Sequence, residues 1–572
     1  MRPYIQLFRW TLKRAMTLTF FVIGASVFSI LLVTLYHGRL LQWHGAFFGY
    51  GNFAAITEVF QNGGSTSKSS KIRQLNIADD ALEFVIGSSS SPNTKASLSA
   101  KDWKLMIDAS PELSDLDVAA RVQERAPNLP VLFWQKVRGK NLAMNRTCAK
   151  FPSLFNLNYY NTYWQTLETS EGTFHLYGAY FDNRSLSENK PSVHILSQID
   201  RINVNISLYC QFWFDGHQKP IFSNVYKYNL AWKKEMGMYK NGILQPYLFS
   251  CHVPGDYGQS VPQAVSLVEK PCDMAKVNLR VFNNLPESGS KEDFAVCVKG
   301  LTIPFSDQSA RLVEWLELLF ILGANKVFLY EFEVHPNVSK VLSYYKKLGK
   351  VEVTKLILAA KQPSVFGIVG KYLKHINFRK SHQEMIPYND CFLKNINKYK
   401  FISALDIDEV IFPKKFATWK ELMDYLVPQA LGSGVYPSNY VPRHVYFFDD
   451  VSQQRNRTAN APYFMHMLRN IRRSIKYNKP THYVKCFHDT ERVLTIHNHF
   501  PITCIGGKCE SFYIDTDTAQ LHHYRSECVR GLRKVCDKEY KNQTVMDPSI
   551  LRYQNRLIAR VNDTLVRLGF LK

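Results

Sequence analysis

The sequence predicts an α/β protein: a mostly parallel sheet with flanking helices, preceded by a β-rich subdomain, a linker-like stem and one N-terminal transmembrane helix. Three observations carry that expectation. Ala15–Tyr36 is a 22-residue run without a charge. Short Tyr-, Phe-, Val- and Ile-rich runs broken by Gly, Pro and Asn fill residues 131–286. From Phe294 onward, strand-like and helix-like segments alternate. The chain has 572 residues, 46% hydrophobic and 21% charged. This composition excludes a disordered or coiled-coil protein and leaves room for several domains.

At about 1.5 Å rise per residue, Ala15–Tyr36 spans a bilayer core of about 30 Å. A cleaved signal peptide is the rival reading, but the run is too long and no small-x-small site follows it. Arg2, Arg9, Lys13 and Arg14 precede the run, and only Arg39 follows it before Lys68. The positive-inside rule then places the N-terminus in the cytosol and the rest on the far side, a single-pass type II arrangement. The net charge is 71 − 48 = +23, which admits nucleic acid, an anionic membrane surface or phosphorylated ligands as partners. The topology removes nucleic acid. Seven N-x-[ST] sites follow the run, at Asn145, Asn183, Asn205, Asn337, Asn456, Asn542 and Asn562. All eleven cysteines lie between Cys148 and Cys536. In an oxidising compartment most should pair, Cys504–Cys509 and Cys528–Cys536 being local options, and the odd count leaves one over. A zinc reading of Cys504, Cys509, Cys528 and Cys536 with His522 and His523 fits no common spacing.

The expected divisions are a cytosolic tail (1–14), the signal anchor (15–36), a stem (37–125), a β-rich lumenal subdomain (126–288), an α/β catalytic domain (289–535) and a C-terminal helical extension (536–572). Gln61–Ser70 and Gly87–Pro92 are flexible polar text, and Leu113–Val122 is an amphipathic stretch with helical spacing. In the α/β part, Phe294–Val298 reads as a buried strand. Ser306 opens a helix closed by Gly323, Lys326–Tyr330 is the next strand, and Val338–Leu348 is a helix closed by Gly349. Val351–Leu358 is a further strand.

Phe401–Leu405 reads as a strand buried on both faces, and Asp406 and Asp408 follow at its C-terminal end. Two residues apart on extended backbone, their carboxylates would share a face. Such a hard-oxygen pair suits Mn²⁺ or Mg²⁺ with positions left for phosphate oxygens. The carboxyl edge of a parallel sheet is also where ligands bind in open α/β folds. Asp115-Leu116-Asp117 and Asp515-Thr516-Asp517 repeat the pattern without such a strand.

Five stretches, in order, resemble glycosyltransferase family 92: Leu176–Arg184; Val313–Leu316 with Leu322-Gly323 and Val327–Tyr330; Gln383 through Tyr388–Cys391; Ala404–Glu409 with Pro413; and Leu521–Arg525. Glu331 stands where Asp is expected, and Gly178 where Ser is usual. The resemblance covers roughly residues 170–530. It implies a GT-A-like fold and inverting transfer of a hexose, galactose from UDP-galactose, onto a glycan acceptor such as a fucose of an N-glycan core. Manganese is the implied metal.

On that reading, Asp406 and Asp408 hold the metal and the UDP-sugar diphosphate, and a late histidine joins them. His523 is the first choice and His522 the alternate, with His497 and His499 a rival pair. A carboxylate must act as base towards the acceptor hydroxyl. Asp449, Asp450 and Glu510 are the candidates. Arg525 and Lys476 are candidate partners of the diphosphate, while Asp182 and Arg184 read as a structural ion pair. A short tail, anchor and stem suggest retention in the Golgi membrane. The competing reading is a membrane-tethered lumenal carbohydrate-binding protein with a catalytically silent glycosyltransferase fold. A cell-surface receptor would need a larger cytosolic segment.

Overall fold

Two sheets and a core of helices hold the site at a corner between them. The computed structural model describes residues 113–572 apart from 138–147, 185, 187–189, 218, 259, 376, 455–460 and 529–532. The expected tail, anchor and most of the stem lie outside the described residues, as do Asn145 and Asn456. Residues 108–572 form one unit. Among the described residues no helix is long and apolar enough to cross a membrane.

Helix α1 (Asp115–Arg125) begins at Ser114, whose hydroxyl accepts the Asp117 N–H while the Asp117 carboxylate reaches back to Ser114. This capping box accounts for one of the two unplaced D-x-D pairs. Helix α2 (Val131–Val137) follows.

The β-rich part contains β1 (Gln165–Thr169), β2 (Gly172–Asp182), β3 (Ser192–Ile199), β4 (Tyr209–Trp213), β5 (Ile221–Leu230), β6 (Gln245–His252), β7 (Ala264–Val268) and β8 (Leu279–Phe282). They pair in the order β1-β2-β3-β6-β5-β4-β7-β8, and a further β2–β8 pairing closes seven strands into a ring. A β-rich subdomain was the expectation, and the structure adds that its sheet closes on itself. Closure rests on a two-residue parallel pairing, Ala179↔Val281 and Tyr180↔Phe282. Closing the sheet removes its edges and encloses Phe174, Leu176, Val193, Ile195, Phe212 and Phe249 in one core.

The α/β part begins with β9 (Glu292–Ile303), α3 (Ser309–Leu322), β10 (Lys326–Val334), α4 (Pro336–Lys347) and β11 (Val351–Lys355). Helices α5 (Ile368–His375) and α6 (Asn377–Asn395) lead to β12 (Tyr399–Ala404) and β13 (Glu409–Pro413). Then come α7 (Trp419–Gly432), β14 (Asn439–Val441), β15 (Arg443–Phe448), α8 (Asp449–Gln454), α9 (His466–Arg469), β16 (Arg472–Ser474), β17 (Phe487–Asp489), β18 (Val493–Ile496), β19 (Pro501–Cys504), β20 (Ser511–Tyr513) and β21 (Ala519–Arg525). Helix α10 (Arg533–Cys536), β22 (Thr544–Met546) and α11 (Gln554–Arg567) complete the chain. Strands β11, β10, β9 and β12 are parallel neighbours, and the sheet continues through β17, β14 and β20. A second sheet runs β13-β21-β15-β16-β22.

The start of α3 differs from expectation. Asp307, not Ser306, accepts the Ser309 N–H. Gly323 and Gly349 end α3 and α4 with φ of 117° and 69°, backbone that a side chain resists. The amphipathic α11 sets Leu557, Val561 and Leu565 into the same core as Trp315 and Leu319. The segment expected as an extension therefore helps to build the main core. Disulfides join Cys148–Cys272, Cys210–Cys251, Cys297–Cys391, Cys504–Cys509 and Cys528–Cys536, and Cys486 is free and buried. With those last two pairs bridged, the zinc reading has no thiolates left.

Candidate active site

The acidic motif occupies the corner where the chain leaves one sheet for the other. β12 stops at Ala404, and the Glu409 N–H closes a turn onto the Asp406 carbonyl at 2.9 Å. The indole of Trp315 on α3 donates to the Glu409 carbonyl at 2.8 Å and fixes the turn from below. The two aspartates therefore do not share one face of an extended strand, as the spacing suggested. The backbone reverses between them, and their side chains have different partners.

Asp406 faces inward between two lysines. Lys299 Nζ of β9 lies 2.9 Å from Asp406 Oδ1 and 3.3 Å from Glu384 of α6. Lys485, fully buried, lies 3.6 Å from Asp406 and 3.0 Å from Glu409, and also donates to Asn498. The Tyr388 hydroxyl is 3.4 Å from Asp406 Oδ1 and 3.0 Å from Asn498 Oδ1. Burial alone would raise the pKa of Asp406, but Lys299 and Lys485 outweigh it and hold the carboxyl well below its usual range. For Glu409 the balance goes the other way: burial raises it despite Lys485.

Asp408 faces outward, and 44% of its side chain is exposed. Its Oδ2 lies 3.2 Å from His523 Nε2. Strand pairing sets this contact, because β13 and β21 place Glu409 opposite His523, and the Tyr524 N–H donates to the Asp408 carbonyl at 2.8 Å. The other ring nitrogen, His523 Nδ1, lies 3.0 Å from His444 Nε2 and 3.4 Å from Glu409 Oε1. His444 stacks on His523, with centroids 5.1 Å apart. Burial, then the charge of His523, pushes His444 well below the ordinary histidine value, so it stays neutral.

The residues fit a divalent ion on one side of His523. A carboxylate oxygen and an imidazole nitrogen bound at about 2.0–2.2 Å in adjacent positions stand about 3 Å apart, as Asp408 and His523 Nε2 do. The half-exposed Asp408 leaves room for further oxygen ligands. Glu409, His444 and His523 Nδ1 form a second, buried donor group. Lys485 holds a positive charge against Glu409 there, which disfavours an ion. That inner group instead orients His523, as carboxylates behind metal-bound histidines commonly do. Asp406, covered by two ammonium groups, is not arranged as a direct ligand.

The remaining expected residues divide by sheet face. Asp450 ion-pairs with Lys541, which packs over Phe448. Tyr446, in the same strand as Phe448, stands near His523 and stacks with Phe448. Asp449 turns to the opposite side, to His466 of α9 and Arg311 of α3. Its expected place beside the acceptor hydroxyl is corrected: Phe447, two residues before it in the chain, packs on His522 and Tyr524 in the core. Glu510 is exposed ahead of β20, in the other sheet, and does not join the cluster. Arg525 ends β21 at the site edge, with its Nε directed to the Glu527 carbonyl. Lys476 pairs with Glu539. His522 stacks on Phe412 and points into the core, opposite to His523. His497 packs against Phe500, and His499 Nδ1 lies 2.9 Å from the Val484 carbonyl, so neither replaces His523. Lys299, Lys485, Glu384, Tyr388, Asn498 and His444 were missed. Tyr388 and Glu409 stood inside the quoted motifs, and Lys299 lies on the first strand of the alternating pattern. No local pattern marks Lys485.

Residues 292–561 match the family model of glycosyltransferase family 92. The match takes in 270 of the 572 residues, a little under half of the chain, and bears out the family resemblance read from the five stretches. Among solved structures it is similar to the WbbM bifunctional glycosyltransferase in its apo form, at 10% identity and a TM-score of 0.16. That match covers 45% of this chain and 37% of the other, so the chain spans little more than a third of that protein's length. No curated protein matches the chain.

Proposed function

We propose that the protein is a metal-dependent inverting glycosyltransferase of GT-A type. It moves a hexose, galactose from UDP-galactose, onto a glycan such as a fucose of an N-glycan core. In this proposal it sits in the Golgi membrane as a single-pass type II protein with a lumenal catalytic domain. The observation that carries the reading is the outward pair at the sheet corner, Asp408 Oδ2 and His523 Nε2, 3.2 Å apart.

These two residues would hold Mn²⁺ or Mg²⁺. A bound divalent ion supplies neutralisation of the charge that develops on the departing diphosphate. Glu409 and His444 fix the His523 ring so that Nε2 faces outward. Asp406 holds the Lys299 ammonium of β9 just beyond the end of β12, where it would add positive charge beside the diphosphate. Asp450, on the His523 side of β15, accepts the proton of the acceptor hydroxyl once Lys541 yields its oxygen to substrate. Inversion in one displacement requires such a carboxylate opposite the leaving group.

The test is transfer from a panel of nucleotide sugars to a fucosylated N-glycan core, with Mn²⁺ and with chelator. Transfer from UDP-galactose that stops in chelator and returns with Mn²⁺ supports the reading. Binding of glycan with no turnover of any nucleotide sugar would favour the silent carbohydrate-binding alternative.

A further inference from the structure

Two successive carboxylates leave the end of β15 for different places. Asp450 goes to Lys541 on the catalytic side. Asp449 enters a cavity of about 420 Å³ whose lining includes Arg311, Tyr463, His466, Arg469 and Asn470. His466 Nε2 lies 2.6 Å from Asp449 Oδ1, and Arg311 Nη2 lies 3.4 Å from Asp449 Oδ2. The buried Glu314 carboxylate accepts the backbone N–H groups of His466, Met467 and Leu468 and anchors this wall.

The wall carries unmet hydrogen-bonding capacity. Asn470 is 2% exposed, and its Oδ1 has no hydrogen-bond partner among the described residues. Arg469 Nε is buried and likewise unpartnered there, although its Nη1 donates to the Tyr463 carbonyl. Buried polar atoms of this kind are normally completed by water or by a ligand. Tyr463 stands 79% exposed at the rim.

The mixture of charges selects the ligand class. A simple anion would meet Asp449 and Asp307, and a simple cation would meet Arg311 and Arg469. A neutral polyhydroxyl compound suits both. Each hydroxyl donates one hydrogen bond and accepts others, so it can give to Asp449 while taking from Arg311, and a turn of the Asn470 and Arg469 side chains towards the cavity would let it complete Oδ1 and Nε as well. The exposed tyrosine ring offers an apolar face for sugar C–H groups. We propose that this cavity is a second saccharide subsite, which takes a non-reacting sugar of an oligosaccharide acceptor. The proposal rests on the glycosyltransferase reading given above. Asp449 and Asp450 have Cα atoms about 3.8 Å apart, so a glycan passing over the end of β15 reaches both sides. Binding at a remote sugar can then hold the acceptor hydroxyl in place.

The test uses the full-length chain and saturation-transfer NMR with a fucosylated N-glycan core oligosaccharide, without nucleotide sugar. Tyr463→Ala removes only an exposed ring, and Asn470→Leu removes the unpartnered acceptor. Both should weaken oligosaccharide binding about tenfold or more. In transfer assays both should raise the KM for the oligosaccharide about tenfold, with kcat unchanged, and leave the KM for free L-fucose as acceptor unchanged. Oligosaccharide binding that is absent in the parent, or equal in the parent and Tyr463→Ala, would overturn the subsite. Equal KM changes for both acceptors would do the same. If no sugar is transferred at all, the binding comparison still decides, so failure of the enzyme reading and failure of the subsite are separable.

Discussion

Two buried ionic clusters, one in the barrel and one at the sheet corner, use the same residue types and differ in what they leave open. In the barrel, Asp182 is fully buried, and Arg184 Nε and Nη2 donate to its two oxygens at 2.8 and 2.7 Å. His194 Nε2 lies 3.1 Å from the same carboxylate. Arg184 also donates to the carbonyls of Thr490 and Val493, which ties the barrel to the α/β part. At the corner, Asp406 and Glu409 are compensated by Lys299 and Lys485, but Asp408 is half-exposed and faces His523. A carboxylate, a cation and a histidine do not by themselves mark a site. The oxygen left accessible to solvent does.

The largest way to break the comparison is on the closed side. Arg184→Met should cost about 3–5 kcal/mol of stability, because it strips the Asp182 carboxylate of its guanidinium in the interior and leaves it only His194. Denaturant unfolding checks this, and a loss under about 1 kcal/mol would mean the cluster is not structural. The open side should respond in the opposite currency. Asp408→Asn should leave the unfolding midpoint nearly unchanged and lower transfer by roughly 10²-fold or more, the scale of losing a charge-stabilising group. Asp115→Asn and Asp117→Asn, at the capped start of α1, should leave transfer at parental rates.

The two sides were not equally legible. Asp408 stood out because it follows a buried strand, and His523 because the family resemblance implies a late histidine beside the acidic pair. The alternation from β9 to β11 likewise follows from hydrophobic periodicity and closing glycines. Barrel closure did not, because β2 and β8 meet over only two residue pairs from distant parts of the chain. Nor did the pairing of Lys485 with Asp406 and Glu409, since a buried lysine in an aperiodic stretch reads as surface until the fold brings its partners to it. The placement of Asp449 failed for a different reason. Two adjacent acidic residues look equivalent in sequence, and only the sheet face separates them. Leu557, Val561 and Leu565 had the spacing of a buried helix face, but their docking on α3 required the tertiary structure.

A smaller effect sharpens the contrast through pH. Burial pushes His382 down to about 4 and His488 down to about 3, so both are neutral in the folded protein. The unfolded chain takes up these protons near the ordinary value of about 6.5. Between those limits the unfolded state binds more protons, so stability is full above pH 6.5 and falls as the pH drops towards 4. The slope should be roughly 1 kcal/mol per pH unit for each histidine. His488→Gln should flatten it, and urea midpoints at pH 7 and 5 that do not differ would contradict it. Below the usual carboxylate range, protonation of Asp182 should remove further stability, since Arg184 and His194 outweigh its burial and hold its pKa low.

The central claim is that Asp408 and His523 hold a divalent ion while Asp406, Glu409 and His444 organise the ground behind it. Electron paramagnetic resonance of Mn²⁺ added to the full-length chain with UDP measures this without turnover. The parent should bind about one ion per chain. Asp408→Asn and His523→Asn should each abolish that binding, and Glu409→Gln should weaken it about 10- to 100-fold, as expected for loss of an orienting partner. Mn²⁺ bound by Asp408→Asn as tightly as by the parent would contradict the account, as would a parent that binds none.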